Sequence, residues 1–263
     1  MKKLLIISAM LFSYISSYGQ SQQPSTSVNL ASADPNKMTK EMTAIWEPEV
    51  KITQPGAEDH EAPSDAVILF HGTEVNSEWT DHKGNPPGWI IMDGALICVK
   101  GSGSIKTKRK FSDFQLHIEW RAPSEVTGES QGRGNSGIYL QERYELQVLD
   151  SYNNRTYRNG QAGSLYKQYA PLVNVSRKPG EWQSYDVIYT APTFKKDTTT
   201  YFTPPRVTVL HNGVLVQNNV SLRGPTISIG IPENFIKKHG PASLEIQDHN
   251  NPVAFRNIWI REL

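Results

Sequence analysis

The stretch of sequence that decides the fold is Phe114-Gln115-Leu116-His117-Ile118-Glu119-Trp120-Arg121. Apolar and polar side chains alternate at every position, so four apolar residues share one face and four polar residues share the other. A period of two is that of a β-strand with one face on a core and one face outside it. The stretch therefore predicts a strand of a half-buried sheet.

The same texture continues on both sides of this stretch, from Asp65 to the C-terminus. Short β-branched and aromatic runs are separated by Gly, Asn, Asp or Pro. Runs 137–140 and 144–149 flank a predicted tight turn, and runs 207–210 and 214–217 flank Asn212-Gly213, a dipeptide typical of hairpins. A final strand is predicted over 254–263. Because no helical pattern alternates with these strands, the sequence predicts an all-β, antiparallel two-layer sandwich or jelly roll.

Composition narrows the classes of protein. Of 263 residues, 37% are hydrophobic and 10% aromatic, which is enough for a core. The formal net charge is +1, from 27 basic and 26 acidic side chains, so the surface has no field to attract polyanions. We expect no nucleic-acid partner. The single cysteine, Cys98, lies in the apolar run 95–99, which predicts a buried thiol that is neither reactive nor disulfide-bonded.

The N-terminus has the features of a signal peptide over residues 1–19. Lys2 and Lys3 precede an apolar run, 4–15, and Ser17-Tyr18-Gly19 supplies small residues near a cleavage site. The run is too short to span a bilayer comfortably. We expect export to the periplasm or the extracellular space, no transmembrane anchor, and a mature chain beginning near Gln20. A buried N-terminal helix is the alternative.

Residues 20–64 are predicted to be a linker with a short helix, ahead of a sandwich domain over 65–263. Segment 20–36 is rich in Gln, Ser, Pro and Asn. Asp34-Pro35 then resembles a helix start, and four apolar residues follow at helical spacing: Met38, Met42, Ile45 and Trp46. We expect this extension to pack against the sandwich.

Polar side chains that could carry chemistry lie on two predicted strands. Glu119 is on the polar face of the first, and Glu145 and Gln147 share one face of the second. Just upstream of the second strand, the Gly-rich segment 132–137 carries Arg133 and Asn135, whose side chains can hold hydroxyl groups. An ordinary solvated sheet face would explain these residues as well.

The C-terminal segment is more specific. Gln247-Asp248-His249 stands at a strand end, and Arg256 and Asn257 interrupt an apolar strand, where polar groups are costly without partners. Asp248 could fix the tautomer of His249 if the fold turns the two side chains together. A structural network that pins the chain terminus is an equal alternative.

Four motifs carry a family resemblance: segments 134–139, 144–150, 247–249 and 255–259. They resemble the family first catalogued as DUF1080 and now described as 3-keto-disaccharide hydrolase, or 3-keto-glucoside-1,2-lyase/3-keto-2-hydroxy-glucal hydratase. Segment 66–72 also fits, although the family more often has Asp where this chain has His71. The resemblance runs from 65 to 263. It implies a concanavalin A-like jelly-roll sandwich, secreted by bacteria that degrade glycans.

The implied chemistry starts from a ketone at C3 of a glucoside, which acidifies the hydrogen on C2. A base removes that proton, the group on C1 leaves, and water adds across the resulting glycal. On this resemblance we interpret four residues as catalytic, with Glu145 or His249 as base and Glu119 or Asp150 as acid. The predicted substrate-binding residues are Arg133, Asn135, Tyr139, Gln147, Arg256 and Tyr166, with Tyr144 or Trp89 as further aromatic platforms.

This interpretation requires five residues from separate parts of the chain to meet in one hollow: Glu119, Glu145, Gln147, His249 and Arg256. The main alternative is a non-catalytic, lectin-like carbohydrate-binding module, because the same sandwich hosts many of them. A two-carboxylate glycosidase is disfavoured because Gln147 stands where a second acid is expected, and an adhesive protein is the remaining option. No cofactor is predicted, and no metal ligands are assigned, although a divalent ion stays open.

Overall fold

A computed structural model describes residues 37, 39–75, 77–196 and 201–263 of the chain. The chain divides into two compact units, residues 1–51 and residues 52–263. Every strand in the described part of the chain belongs to the second unit.

The second unit contains fifteen strands in the ranges that the structure describes. In chain order these are β1 Val67–Phe70, β2 Trp79–Asp81, β3 Ile90–Met92, β4 Ala95–Ile97, β5 Ile105–Thr107, β6 Phe114–Arg121, β7 Ser136–Leu140, β8 Tyr144–Val148, β9 Gln183–Thr190, β10 Thr193–Phe194, β11 Tyr201–Thr203, β12 Arg206–His211, β13 Val214–Ser221, β14 Glu245–Ile246 and β15 Ala254–Glu262. Short 3₁₀ helices cover Lys40–Thr43, Ser130–Gly132 and Arg158–Gly160.

The strands form two main sheets. The larger sheet has the order β13-β12-β9-β6-β15-β4-β3, and β1 pairs with β15 beside β4. The smaller sheet has the order β2-β5-β14-β7-β8, and β10 and β11 form a separate hairpin. Their pairings are antiparallel. The antiparallel, concanavalin A-like sandwich that the sequence predicts is therefore confirmed.

The core lies between the two sheets. The apolar face of β6 is buried, as are Leu146 and Val148 of β8 in the opposite sheet. Two tyrosines of β9 bridge the sheets: the Tyr185 hydroxyl donates to the Gln147 carbonyl over 2.8 Å, and the Tyr189 hydroxyl donates to Gln141 Oε1 over 2.9 Å. The outer faces of the sheets, where polar residues lie, are consequently on opposite sides of the molecule.

Both predicted hairpins are confirmed. β7 and β8 pair around a turn in which Gln141 and Glu142 have φ angles of 53° and 57°. β12 and β13 pair around Asn212 and Gly213, with φ angles of 52° and 78°. The left-handed conformation suits Asn-Gly and gives the turn the twist of the flanking strands.

A β-bulge interrupts the predicted final strand, β15. Arg256 pairs with Glu119 of β6 whereas Trp259 pairs with His117, so β15 holds one more residue than its partner over this stretch. The extra residue is Asn257, with a φ angle of 45°. The bulge puts the side chains of Arg256 and Trp259 on the outer face of the larger sheet and returns Ile258 to the core.

The segment that precedes the sandwich domain is only partly as predicted. In the first unit the described helix is one 3₁₀ turn, and Met42, Ile45 and Trp46 are exposed, so an amphipathic helix through these residues is wrong. The described segment that precedes Pro48 is short, so it can form too few hydrogen bonds for a stable helix. Met38 and the signal-peptide interpretation of 1–19 lie outside the described residues.

Residues 52–64 belong to the same compact unit as the sandwich. The carbonyl of His60 accepts hydrogen bonds from Asn257 Nδ2 and Trp259 Nε1, over 3.0 and 3.1 Å. Arg261 pairs with Asp65 at 3.0 Å. This segment thus lies over the outer face of β15. In the described part of the chain, no helix is long and apolar enough to cross a membrane.

Candidate functional site

A polar cavity of about 290 Å³ lies on the outer face of the smaller sheet. β7, β8 and the end of β14 form its floor, and the connection between β13 and β14 forms part of its wall. Its lining is Gln131, Asn135, Tyr139, Glu145, Gln147, Tyr166, Thr226, Ser228, Gln247 and His249. We call it the front cavity. Five predicted site residues meet there from β7, β8 and adjacent loops, and a sixth, His249, comes from the end of β14.

Glu145 is the buried carboxylate of the front cavity. Burial raises its pKa to about 7, and the negative charge of Glu245 adds to the rise, whereas a hydrogen bond from Tyr139 opposes it. The Tyr139 hydroxyl donates to Glu145 Oε2 over 3.0 Å. No cationic side chain among the described residues forms an ion pair with Glu145. A carboxyl group in this environment changes its protonation state near neutral pH.

Two amide oxygens in the same cavity have no donor. Gln147 Oε1 and Gln247 Oε1 are buried and make no hydrogen bond within the part of the chain that the structure describes. Gln147 is oriented through its other end, because its Nε2 donates to Asn135 Oδ1 over 3.0 Å. Asn135 in turn donates to the Gln131 carbonyl over 2.7 Å. A buried acceptor without a donor is costly, so these two oxygens are suited to hydroxyl groups of a ligand.

Gly137 leaves space for the side chain of Glu145. A Cβ at this position would lie 2.6 Å from Glu145 Oε1 and 3.0 Å from Glu145 Cγ. Gly137 pairs with Gln147 across the hairpin, so the Glu145 side chain lies over the bare backbone of β7. Any side chain at position 137 would displace the carboxylate.

The rim of the front cavity combines ionisable and hydroxyl groups. His249 is exposed there, and its ring makes no hydrogen bond within the described ranges. The Tyr166 hydroxyl lies 2.6 Å from that of Tyr157. Thr226 and Ser228 also line the cavity, and sequence reasoning missed both. They lie in a loop with no strand periodicity, and nothing in the sequence links that loop to β8.

Glu119 and Arg256 are not in the front cavity, so the prediction of one common hollow is wrong, and the site interpretation that required all five residues fails as made. Only Glu145, Gln147 and His249 of the five meet. The other two lie on the outer face of the larger sheet, across the core, in a second cavity of about 380 Å³ that we call the back cavity. β6 belongs to the larger sheet and β8 to the smaller one, so their polar faces point away from each other. Period-two patterning predicts which residues share a strand face but not which sheet holds the strand.

The ionisable groups around Glu119 in the back cavity are paired with one another. Arg256 Nε donates to Glu119 Oε2 over 2.6 Å, and Asn257 Nδ2 donates to Glu119 Oε1 over 3.0 Å. Burial alone would raise the pKa of Glu119, but His117, Asn257 and Arg256 together lower it to about 2. Burial likewise opposes the charge on His117, yet Asp186, 2.6 Å from its Nδ1, and Glu119 raise the pKa of the ring to about 9.

Two other predicted residues pair with each other away from the front cavity. Arg133 Nε lies 2.5 Å from Asp150 Oδ2, and Arg133 also donates to the Tyr152 carbonyl over 2.9 Å. Neither side chain lines the front cavity, so neither is placed to act as acid or anion stabiliser there. The salt bridge instead fixes the loop that leads into β7.

Three further expectations fail on geometry. Asp248 accepts hydrogen bonds from Cys98 Sγ and the amide of Gly103, over 3.3 and 3.0 Å, and not from His249. Tyr144 and Trp89 are core residues and offer no platform. Cys98 is buried as predicted, and burial, with Asp248 nearby, raises the pKa of its thiol.

One group of side chains in the described residues could hold a metal ion. Potential ligand atoms of His82, Glu142 and Glu245 lie within 4.8 Å of one another beside the front cavity. Cationic or ionisable partners are already present: Lys106 Nζ is 3.1 Å from Glu142, and His82 Nε2 is 3.3 Å from Glu245. These contacts explain the cluster without an ion.

The chain with this sandwich fold and polar cavity is a carbohydrate-active protein, as its family model and a similar solved structure both show. The model of the 3-keto-alpha-glucoside-1,2-lyase-like domain matches residues 65–261, and the chain belongs to this family, which confirms the DUF1080 resemblance.

Solved structures agree with this placement. A presumed glycosyl hydrolase from Parabacteroides distasonis ATCC 8503 is 52% identical, with a TM-score of 0.81, over 86% of this chain and 97% of that one. Another from the same organism is 20% identical, with a TM-score of 0.53, over 76% of this chain and 94% of its own, and shares the fold. No curated protein matches the sequence.

Proposed function

We propose that the protein is an enzyme that cleaves 3-keto-glucosides by elimination across C1 and C2, with the front cavity as its active site. The observation that carries this proposal is Glu145, a buried carboxylate with no cationic partner in the described ranges, at the floor of a cavity with two unsatisfied acceptors. A general base is most effective when its pKa is close to the working pH.

The proposed reaction needs no outside oxidant. Glu145 takes the C2 proton, which the C3 ketone has acidified, and the C–H electron pair becomes the C1–C2 double bond. The C1–O bond breaks, and the leaving oxygen receives a proton. The products are an alcohol and a 3-keto-2-hydroxy-glucal, to which water adds in a second step.

Roles for the other residues follow from their positions. His249 at the rim supplies the proton to the leaving oxygen. Gln147 and Gln247 accept hydrogen bonds from sugar hydroxyls, and Asn135 orients Gln147 instead of touching the sugar. The Thr226 and Ser228 hydroxyls donate no hydrogen bond within the described residues and are available to the C3 oxygen, and Tyr166 flanks the ring.

The decisive experiment uses methyl 3-keto-α-glucoside with hydrogen or deuterium at C2. We expect methanol release, a dehydrated keto-sugar or its hydrate by mass spectrometry, and slower turnover of the deuterated substrate. An equal rate for both isotopologues, with label retained at C2, would exclude elimination as the mechanism. A parallel incubation with a chelator decides whether a divalent ion takes part.

The lectin-like alternative has a distinct outcome. If the protein binds unmodified glucans and consumes neither these nor any 3-keto-glucoside, it is a binding module. A folded His249→Gln variant helps to separate the two, because loss of turnover with unchanged ligand affinity is expected only of an enzyme.

We also propose that the chain is exported, on the basis of the signal-peptide features of residues 1–19. N-terminal sequencing of the protein from cells should begin near Gln20. An intact Met1 terminus on cytoplasmic material would contradict export.

A further inference from the structure

Residues 224–233 of the loop between β13 and β14 leave the loop and return to the same point beside the front cavity. We call this segment the flap. A hydrogen bond closes the base of the flap, where its two ends meet: the Gly224 amide donates to the Glu233 carbonyl over 2.5 Å. A Cβ at Gly224 would lie 2.4 Å from that carbonyl oxygen, so only glycine allows this approach. Gln168 holds the same base by accepting from Arg223 N and donating to the Gly224 carbonyl, over 2.8 and 3.0 Å.

The flap is joined directly to the strand that carries Glu145. The Thr226 amide donates to the Arg143 carbonyl over 2.8 Å, and Thr226 Oγ1 accepts from the Glu145 amide over 3.0 Å. Thr226 and Ser228 then line the front cavity. The residues that follow Ser228 consequently begin at the cavity wall, since successive Cα atoms are about 3.8 Å apart.

The tip of the flap is apolar and unusually exposed. Ile229 and Ile231 are 90% and 84% exposed, on either side of Gly230. Residues 225–232 read PTISIGIP and contain no ionisable side chain. Neither isoleucine lines the front cavity, but both follow Ser228 at its wall and so form an uncharged apolar surface at its edge.

The volume of the front cavity indicates what the tip contacts. About 290 Å³ is at the lower end of the range for small-molecule sites, which suits one sugar ring. The group attached to C1 must then extend past the rim. An uncharged surface with two isoleucines at the edge of the cavity favours an apolar group there over a second sugar or a charged chain.

We infer that Ile229 and Ile231 bind the leaving group, and that the substrates are 3-keto-glucosides of apolar alcohols in preference to keto-disaccharides. This inference rests on the proposed function, because it assigns a leaving group to the same cavity. Affinity for the apolar group would come from apolar area removed from water, so it should appear mainly in KM.

The test compares kcat/KM for methyl and hexyl 3-keto-α-glucosides, whose leaving alcohols have similar acidity. The wild-type enzyme should prefer the hexyl substrate by about tenfold, since about 1.4 kcal/mol of extra contact gives that factor. The Ile229→Ser/Ile231→Ser variant should lower the hexyl-to-methyl ratio to near one. The ratio is the readout, so losses common to both substrates cancel.

A matched control is Ile90→Ser/Ile91→Ser, which alters two exposed isoleucines on β3 of the larger sheet and should leave the ratio unchanged. If the wild-type enzyme consumes both substrates with no preference, or the flap variant keeps the preference, the inference is overturned while the proposed function stands. If neither substrate is consumed, the proposed function itself fails and the inference falls with it.

Discussion

The front and back cavities are similar in size and both hold a buried glutamate, yet their electrostatics are opposite. In the back cavity Glu119 has Arg256, Asn257 and His117 around it, and its pKa falls to about 2. In the front cavity Glu145 has a tyrosine hydroxyl and no cation among the described residues, and its pKa rises to about 7. The comparison teaches that a carboxylate surrounded by cationic partners stays charged, whereas a buried one without them can exchange a proton near neutral pH.

The largest expected effect is on turnover. Glu145→Gln should reduce kcat for a 3-keto-glucoside by about 10³-fold, because a positioned general base contributes about 10²- to 10⁴-fold. Glu119→Gln is the matched control on the opposite sheet, and it should change kcat less than threefold in the folded fraction. Comparable losses in both variants would erase the distinction between the cavities.

Crowding the front carboxylate should have the next largest effect. Gly137→Ala places a methyl group 2.6 Å from Glu145 Oε1, so the carboxylate must move. We expect kcat to fall by about 10²-fold with KM little changed, since small misplacements of a catalytic group have costs of this size. Gly132→Ala, where a Cβ meets nothing within 4 Å, is the control and should keep full activity.

The two glutamates should give stability opposite dependences on pH. The folded-state pKa of Glu145 is above its ordinary value of 4.5, so the free energy of unfolding falls as pH rises from 4.5 to 7. Glu145→Gln should therefore stabilise the protein at pH 8, by up to about 3 kcal/mol. The folded-state pKa of Glu119 is below its ordinary value, so its contribution to the free energy of unfolding is complete above pH 4.5 and is lost as pH falls through 2.

Glu119→Gln should accordingly destabilise the protein by about 2 kcal/mol at pH 7, less than for a fully buried pair because Arg256 is partly exposed. Urea denaturation at several pH values measures both slopes. If the effects of the two substitutions on the free energy of unfolding changed with pH in the same direction, the environments assigned to the two glutamates would be contradicted.

The smallest expected effect is a shift of the pH profile. The hydrogen bond from Tyr139 lowers the pKa of Glu145, so Tyr139→Phe should raise that pKa. The acidic limb of kcat/KM against pH would then move to higher pH. Tyr166→Phe removes a hydroxyl that bonds Tyr157 and not Glu145, so its limb should stay in place. A shift in the Tyr166 variant alone would contradict the assignment of Tyr139 as the residue that lowers the pKa of Glu145.

The sequence predicted the strands well because their signal is local. The alternation in 114–121, the Asn212-Gly213 turn and the pairing of 137–140 with 144–149 depend on residues a few positions apart. It predicted the neighbours of Glu145 for the same reason, since Tyr139 and Gln147 lie on the same hairpin. It could not assign Glu119 to a sheet, because that depends on which strands pair across long stretches of chain.

Loop residues were the other gap. Thr226 enters the site through hydrogen bonds to Arg143 and Glu145, which are distant in sequence and leave no periodic pattern. Asp248 was expected to orient His249, yet it satisfies an amide and a thiol near Gly103 instead. Short-range neighbours in a loop share no fixed direction, so adjacency in sequence says little about contact.

Asn257 also decides which side chains of β15 face the core. Because Asn257 is an inserted residue in left-handed conformation, the side chains that face the core have odd numbers before it and even numbers after it. If Asn257 instead took an ordinary position in the ladder, strict alternation would turn Ile258 and Ile260 to water and Trp259 inward. Both halves of β15 therefore face the core correctly because Asn257 is bulged out of the ladder.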